Sequence, residues 1–388
     1  MKTNIKLLNK IASIGTEVFC ADRYCVDADV ENPEAIMVRS ASLHDMEFPE
    51  NLKAIARCGA GVNNIPIEKC SERGIVVFNT PGANANGVKE LTIAALLLAA
   101  RNIIGGIEWV KTLEGTTGIA KAVEGGKSAF VGNELEGKRL GVIGLGAIGG
   151  MVANAAKNLG MEVIGYDPYI TVEAAWGLSR AIRKAASYDE IYQTADYITL
   201  HVPSTPQTKN MICKETLDMM KDGIRIINLS RGDLVNAADI KEALTTGRVS
   251  CYVTDFPTEE TVGVPGIINI PHLGASTVES EDNCAVMAAH QLLDFLENGN
   301  IKNSVNFPTV SIPHNGDARI CLFHKNIPTI LSQITGAVSN ENINIENLSN
   351  GSKGDLAYTI VETKGILPES VVERLKQIKG MIRVNVIK

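Results

Sequence analysis

Apolar residues follow two rhythms along this chain. EAIMVRS (34–40), LKAIARCG (52–59) and GIVVFNTP (74–81) are short apolar runs that end in Gly, Ser or Pro, as buried strands do. Residues 84–103, NANGVKELTIAALLLAARNI, are apolar nearly all round and predict one long helix buried between layers. The next block is more regular. KRLGVIG (138–144) reads as a strand, 147–159 as a helix stopped by Gly160, and MEVIGYD (161–167) as the next strand. ADYITLHV (195–202), GIRIINLS (223–230), VSCYVTDF (249–256) and GIINIPH (266–272) continue the series, with helical patterns between several of them. Strands alternating with helices predict an α/β fold, a doubly wound parallel sheet covered on both faces. STVESEDNCAVMAAHQLLDFLENG (276–299) then predicts an amphipathic helix opened by a Ser/Thr cap.

After a Pro-containing stretch of little periodicity (303–317), the pattern changes. ARICLFH, IPTILSQITGAVSN, INIENLS, AYTIVET, PESVVERLKQI and MIRVNVI read as strand, helix, strand, strand, helix, strand. That βαββαβ order predicts a ferredoxin-like module standing as a separate unit.

Composition narrows the partners. The 388 residues carry a net charge of −7, which argues against nucleic acid, so an anionic substrate must be caught by local positive charge. No apolar stretch is long enough to span a bilayer, and residues 1–15 lack a secretory pattern. The 8 cysteines are scattered without a CxxC pair, which points to a reduced, cytoplasmic protein with no structural metal site.

One glycine cluster has a chemical context. Gly144, Gly146 and Gly149 form a GxGxxG that follows a strand and opens a helix, and the next strand ends in Asp167. Gly144 permits the turn, Gly146 lets backbone approach a pyrophosphate, Gly149 brings helix and strand together, and the free N–H groups of the first helical turn hold the phosphates. Asp167 suits a ribose diol and repels a 2′-phosphate, and no basic residue follows it closely, so NAD is expected over NADP.

Three further strand ends carry reactive groups that would face the same crevice: Arg231 after RIINLS, Glu260 after CYVTDF, and His272 after GIINIP. Arg231 offers a fork for a carboxylate and an adjacent oxygen. His272 can take a proton from a secondary alcohol, and Glu260 can bond the far ring nitrogen. Each has a plainer reading. Arg231 could pair with Asp233, Glu259 and Glu260 could be a solvated pair, and His201 fits the histidine's place equally well.

Taken in order, GLGAIG…GYDP, LHVPSTPQT, INLSRGDLVN, TDFPTEE and PHLGAST resemble the D-isomer-specific 2-hydroxyacid dehydrogenases, and the tail resembles an ACT domain. The resemblance implies substrate binding by Arg231, a catalytic His272 and its partner Glu260. It also implies cofactor contacts from Ala60, Ala147, Ile148, Val202, Leu229, Ser230, Asp255, Gly274 and Ala275. Arg39 and the loop with Gly59 and Gly61 would bind substrate, and Lys127 would sit near a substrate phosphate. It implies a discontinuous flavodoxin-like substrate domain (1–95 and 276–305), a Rossmann-type dinucleotide domain (96–275), a linker (306–317) and an ACT regulatory domain (318–388).

The activity implied is NAD-dependent oxidation of 3-phospho-D-glycerate, the first step of L-serine synthesis. L-serine would bind at His324, Asn326 and Asn344 between tails of a homodimer or homotetramer. Alternatives are a glycerate or hydroxypyruvate reductase, or a non-catalytic NAD-sensing scaffold. The chain departs from the family at Ala60, Asn63 and Ala147, and at Thr261, which stands where proline usually follows the catalytic glutamate.

Overall fold

A computed structural model describes residues 2–387. The chain forms two compact units, 1–84 with 281–388, and 85–280.

The second unit is built on seven parallel strands: β6 (Arg139–Ile143), β7 (Glu162–Tyr166), β8 (Arg183–Lys184), β9 (Tyr197–Leu200), β10 (Ile224–Asn228), β11 (Val249–Thr254) and β12 (Ile267–Asn269). Their order is β12-β11-β10-β9-β6-β7-β8. The order reverses between β6 and β9, the switch point where such sheets bind dinucleotides. β6, β9 and β10 are almost wholly buried, because helices cover both faces.

The expected single helix over 84–103 is two. Ala85–Ala100 ends, and Asn102 then caps a second helix, Ile103–Lys111, by accepting the Gly105 N–H. The first buries a stripe from Ala85 to Ala100 rather than its whole circumference, and Leu97 stays 44% exposed.

The first unit holds a five-stranded parallel sheet: β1 (Thr3–Leu8), β2 (Tyr24–Asp27), β3 (Ala35–Val38), β4 (Ala54–Arg57) and β5 (Val76–Phe78), ordered β2-β1-β3-β4-β5. The tail adds an antiparallel sheet of β13 (Ala318–Lys325), β14 (Ile345–Lys353), β15 (Leu356–Thr363) and β16 (Met381–Ile387), ordered β14-β15-β13-β16. With helices Ile330–Ser339 and Glu369–Lys376 it has the expected βαββαβ sequence of elements.

This tail is not set apart from the unit's parallel sheet. Cys321, Phe323, Tyr358 and Ile360 share one core with Ile5, Met37, Phe78, Ala288, Phe295 and Phe307. Phe323 contacts three aromatic rings, those of Phe295, Phe307 and Tyr358. Residues 303–317, expected to link, are pinned instead. Asn306 accepts the Val77 N–H at 2.9 Å and donates to the Ile75 carbonyl at 2.9 Å, closing the edge beyond β5. Arg319, with no exposed surface, pairs with Glu362 at 2.6 Å and donates to the carbonyls of Ile312 and Pro313. A buried guanidinium needs such a full set of acceptors.

Candidate active site

The glycine turn at the end of β6 has the shape its residues demand. Gly144 lies at φ +89°, a left-handed conformation that favours glycine, and a Cβ there would meet the His201 carbonyl. A Cβ at Gly149 would strike the Gly144 carbonyl oxygen, whereas Gly146 faces open space with nothing within 4 Å of its Cβ position. Gly146 starts the helix Ala147–Asn158, and no side chain caps that helix start. The N–H groups of Ala147 and Ile148 in its first turn are therefore free for an anion at the dipole's positive end. Asp167 is held at the turn by two backbone bonds, accepting the Leu145 N–H at 2.9 Å and the Tyr169 N–H at 2.8 Å. Each carboxylate oxygen keeps acceptor capacity for a diol. Val202 borders the turn, a Cβ at Gly144 falling 2.9 Å from its side chain. Leu229 is buried, and Ser230 is fixed by donating its hydroxyl to the Leu200 carbonyl.

Asp255, after β11, is 1% exposed. One carboxylate oxygen accepts the Gly274 N–H at 3.4 Å and the other, Oδ1, has no partner. Burial raises its pKa, while the charges of His272 and Arg231 pull it back, so the three groups share one electrostatic neighbourhood. An unpartnered buried carboxylate oxygen at a strand end fits a dinucleotide with an amide group to offer. Ala275, half-buried, follows the buried Gly274.

Arg231 is exposed and ends β10's loop. Its guanidinium donates to the Ser230 carbonyl at 2.6 Å, and among the described residues it makes no ion pair. Asp233 accepts from Ser204 Oγ instead, so the plain Arg231–Asp233 pairing does not form. His272 lies at φ +37°, held by its N–H donating to the carbonyls of Asp255 and Ile270. Its ring lies against Phe256, with centroids 4.7 Å apart.

The rival histidine is accounted for. His201 bonds Thr199 Oγ1 at 2.9 Å, and burial drives its pKa down to about 4, so it stays neutral near pH 7.

Glu260 does not meet His272: no hydrogen bond or ion pair joins them among the described residues, and Glu259 and Glu260 both face solvent. The cause lies one residue on. Thr261, 5% exposed, accepts the Thr258 N–H at 2.9 Å, and its carbonyl accepts from Asn269 Nδ2 at 2.9 Å. That knot turns the neighbouring carboxylates outward. Sequence reasoning singled out Thr261 only as a departure. Asn269 and Phe256 gave no signal of their own, because their roles come from contacts across the loop.

Other expected site residues are dispersed. Lys127 pairs with Glu124 at 2.5 Å on an exposed helix end. In the first unit, Arg39 pairs with Glu281 at 2.6 Å, and Gly59 lies at φ +145° with its carbonyl accepting the Thr80 N–H. The Ala60 carbonyl accepts from Asn79, and Gly61 is half-buried. In the tail His324 is corrected: it is 1% exposed, and its ring nitrogens bond the Lys325 carbonyl (2.9 Å) and Thr359 Oγ1 (2.8 Å). Neither is left for a ligand. Asn326 and Asn344 are exposed, bonded to Gly354 and Glu346.

All 8 cysteines are free thiols. No single helix among the described residues is long and apolar enough to cross a membrane, and no cluster of metal-ligating side chains occurs among them.

Known proteins are similar to this chain. Residues 93–302 match the NAD binding domain of the D-isomer specific 2-hydroxyacid dehydrogenases. The chain is 36% identical over 315 residues to a D-3-phosphoglycerate dehydrogenase of Methanocaldococcus jannaschii, a match covering 79% of this chain and 58% of that protein. It is 32% identical over 398 residues to the D-3-phosphoglycerate dehydrogenase of Synechocystis, covering 98% of this chain and 68% of that one. Its match therefore spans less than two thirds of the first relative's length. A NAD+-bound 3-phosphoglycerate dehydrogenase from Entamoeba histolytica superposes with a TM-score of 0.62 at 26% identity, over 79% of this chain and 99% of that chain. The match over more than half its length, and over two thirds of a relative above 30% identity, makes the chain a member of the D-isomer-specific 2-hydroxyacid dehydrogenase family with an NAD-binding domain.

Proposed function

We propose that the chain oxidises 3-phospho-D-glycerate to 3-phosphohydroxypyruvate with NAD. The observation that carries this reading is an exposed guanidinium without an acidic partner, Arg231, sharing Asp255's electrostatic surroundings with His272. NAD, held by the glycine turn, Asp167 and Asp255, supplies the hydride acceptor. Arg231 binds the substrate carboxylate and its α-oxygen through its fork of donors. His272 takes the α-hydroxyl proton on its substrate-facing ring nitrogen, and returns it in the reverse direction. Glu260 supports the far nitrogen once its loop folds toward β12. Arg39, Gly59, Gly61 and Lys127 complete the substrate contacts, Lys127 by exchanging Glu124 for a phosphate.

Reduction of phosphohydroxypyruvate followed by NADH absorbance tests this. H272A should lower kcat by about 10²–10⁴-fold. R231A should lower kcat/KM by a comparable factor, consistent with loss of a charged hydrogen-bonding partner. Full activity of H272A would overturn the proton-transfer role. Hydroxypyruvate preferred over its phosphorylated form would transfer the reading to an unphosphorylated substrate, and no turnover of either would favour the NAD-sensing scaffold.

The tail is proposed as an ACT domain in a homodimer or homotetramer, with L-serine held by Asn326 and Asn344. Equal turnover with and without millimolar L-serine would remove that effector role. The free thiols support a reducing, cytoplasmic setting.

A further inference from the structure

We propose that Phe256 is a positioning residue that sets the orientation of the His272 imidazole relative to Arg231. The inference rests on the reading above, in which His272 moves the proton and Arg231 holds the acid.

Phe256 follows Asp255 at the end of β11. Strand alternation sends the Asp255 carboxylate inward and leaves Phe256 half-buried on the other side. Its backbone is locked by its own N–H donating to Thr254 Oγ1 at 3.1 Å. From there one side chain lies against His272 and beside the turn that follows Arg231. Toward His272, the two rings lie 4.7 Å apart and tilted by 59°, within the range of favourable aromatic pairing. Toward Arg231, a Cβ at the following residue, Gly232, would stand only 3.2 Å from Phe256 Cβ and 3.7 Å from the root of its ring. The glycine lets the turn after Arg231 lie directly on Phe256.

The contact matters because little else fixes the imidazole. His272 is exposed, and no side-chain hydrogen bond to its ring exists among the described residues. Its backbone is firmly placed by two N–H bonds in a left-handed conformation, so the open variable is the ring's rotation. The tilted face of Phe256 restricts that rotation. A leucine would fill part of the space without a flat wall. Phe256 is itself only half-buried, so it adds less to stability than a core phenylalanine.

The test compares wild type with F256L and F256Y in the full chain, using H272A as the separate control on the reading of His272. F256L should lower kcat for phosphohydroxypyruvate reduction about ten- to a hundredfold, the scale of a small misplacement of a reacting group. KM and the NADH dissociation constant should stay within about twofold, and F256Y should restore kcat to near the wild-type value. The His272 ring-proton NMR signals should carry an upfield ring-current shift in wild type and F256Y that disappears in F256L. A kcat unchanged in F256L, or lost equally in F256Y, overturns the proposal. So does an unshifted His272 signal in wild type. Full activity of H272A instead overturns the proton-transfer reading, whatever Phe256 does.

Discussion

At the scale of single residues, two histidines that look alike in sequence are set apart by their surroundings. His201 is buried against Thr199 with its pKa pushed down to about 4, while His272 stands exposed on a left-handed turn. Because the folded value of His201 lies below the unfolded one near 6.5, the unfolded chain takes up a proton first as pH falls. His201 therefore gives full stability above about pH 6.5 and loses it progressively toward pH 4, on the order of 3 kcal/mol. Denaturant melts of wild type and H201N over that range should differ in slope, and parallel curves would sink the assignment. Asp255 has the opposite sign. Its raised pKa means that the fold bears the cost of a buried charge at neutral pH, a cost that fades as pH drops through its folded value. D255N should leave neutral-pH stability equal or higher while weakening NADH binding about tenfold, read by fluorescence titration and melting temperature.

At the scale of elements, what could be read from sequence is whatever one residue type enforces locally. The glycine turn was legible because Gly144 and Gly149 occupy places where a side chain would meet the His201 and Gly144 carbonyls. G149A should abolish NADH binding and destabilise the protein by about 1–3 kcal/mol, measured by titration and chemical melts. The orientation of Glu260 was not legible. It depends on bonds among Thr258, Thr261 and Asn269, three polar residues whose pairing spans the loop. Removing the buried hydroxyl in T261V should cost about 1–2 kcal/mol and make the 258–264 backbone amides exchange faster with deuterium; unchanged exchange would show that the knot does not set the loop. The break at Asn102 was missed for a related reason: apolar residues resume directly after Arg101 and Asn102, and only the Asn102 side-chain cap marks the new start.

At the scale of the whole molecule, the alternation of strands and helices and the tail's βαββαβ sequence of elements followed from the apolar patterns, but the tail's attachment did not. Phe295, Phe323 and Tyr358 each read as interior residues of their own element and Phe307 as a residue of the linker, and nothing in their spacing says that they meet. The prediction is direct. A chain ending at 316 would expose Phe295 and Phe307 and lose the Arg319–Glu362 anchor, so it should be insoluble or melt much earlier than the full protein. Replacing one member of that pair, as in E362Q, should cost about 3–5 kcal/mol, because Arg319 would keep a buried charge without its counter-ion. A soluble, cooperatively melting 1–316 fragment would refute this picture.

The seam around Phe323 also limits how this protein can be rebuilt. Were β13 and β15 free-standing, an engineer could exchange the last seventy or so residues for another sensor as a cassette. Here any replacement must bring its own ring to fit among Phe295, Phe307 and Tyr358's neighbours, and a hydroxyl to reach the Gly299 carbonyl as Tyr358 does. Transplants that ignore this fit should fail at the acceptor's interior before any question of signalling arises.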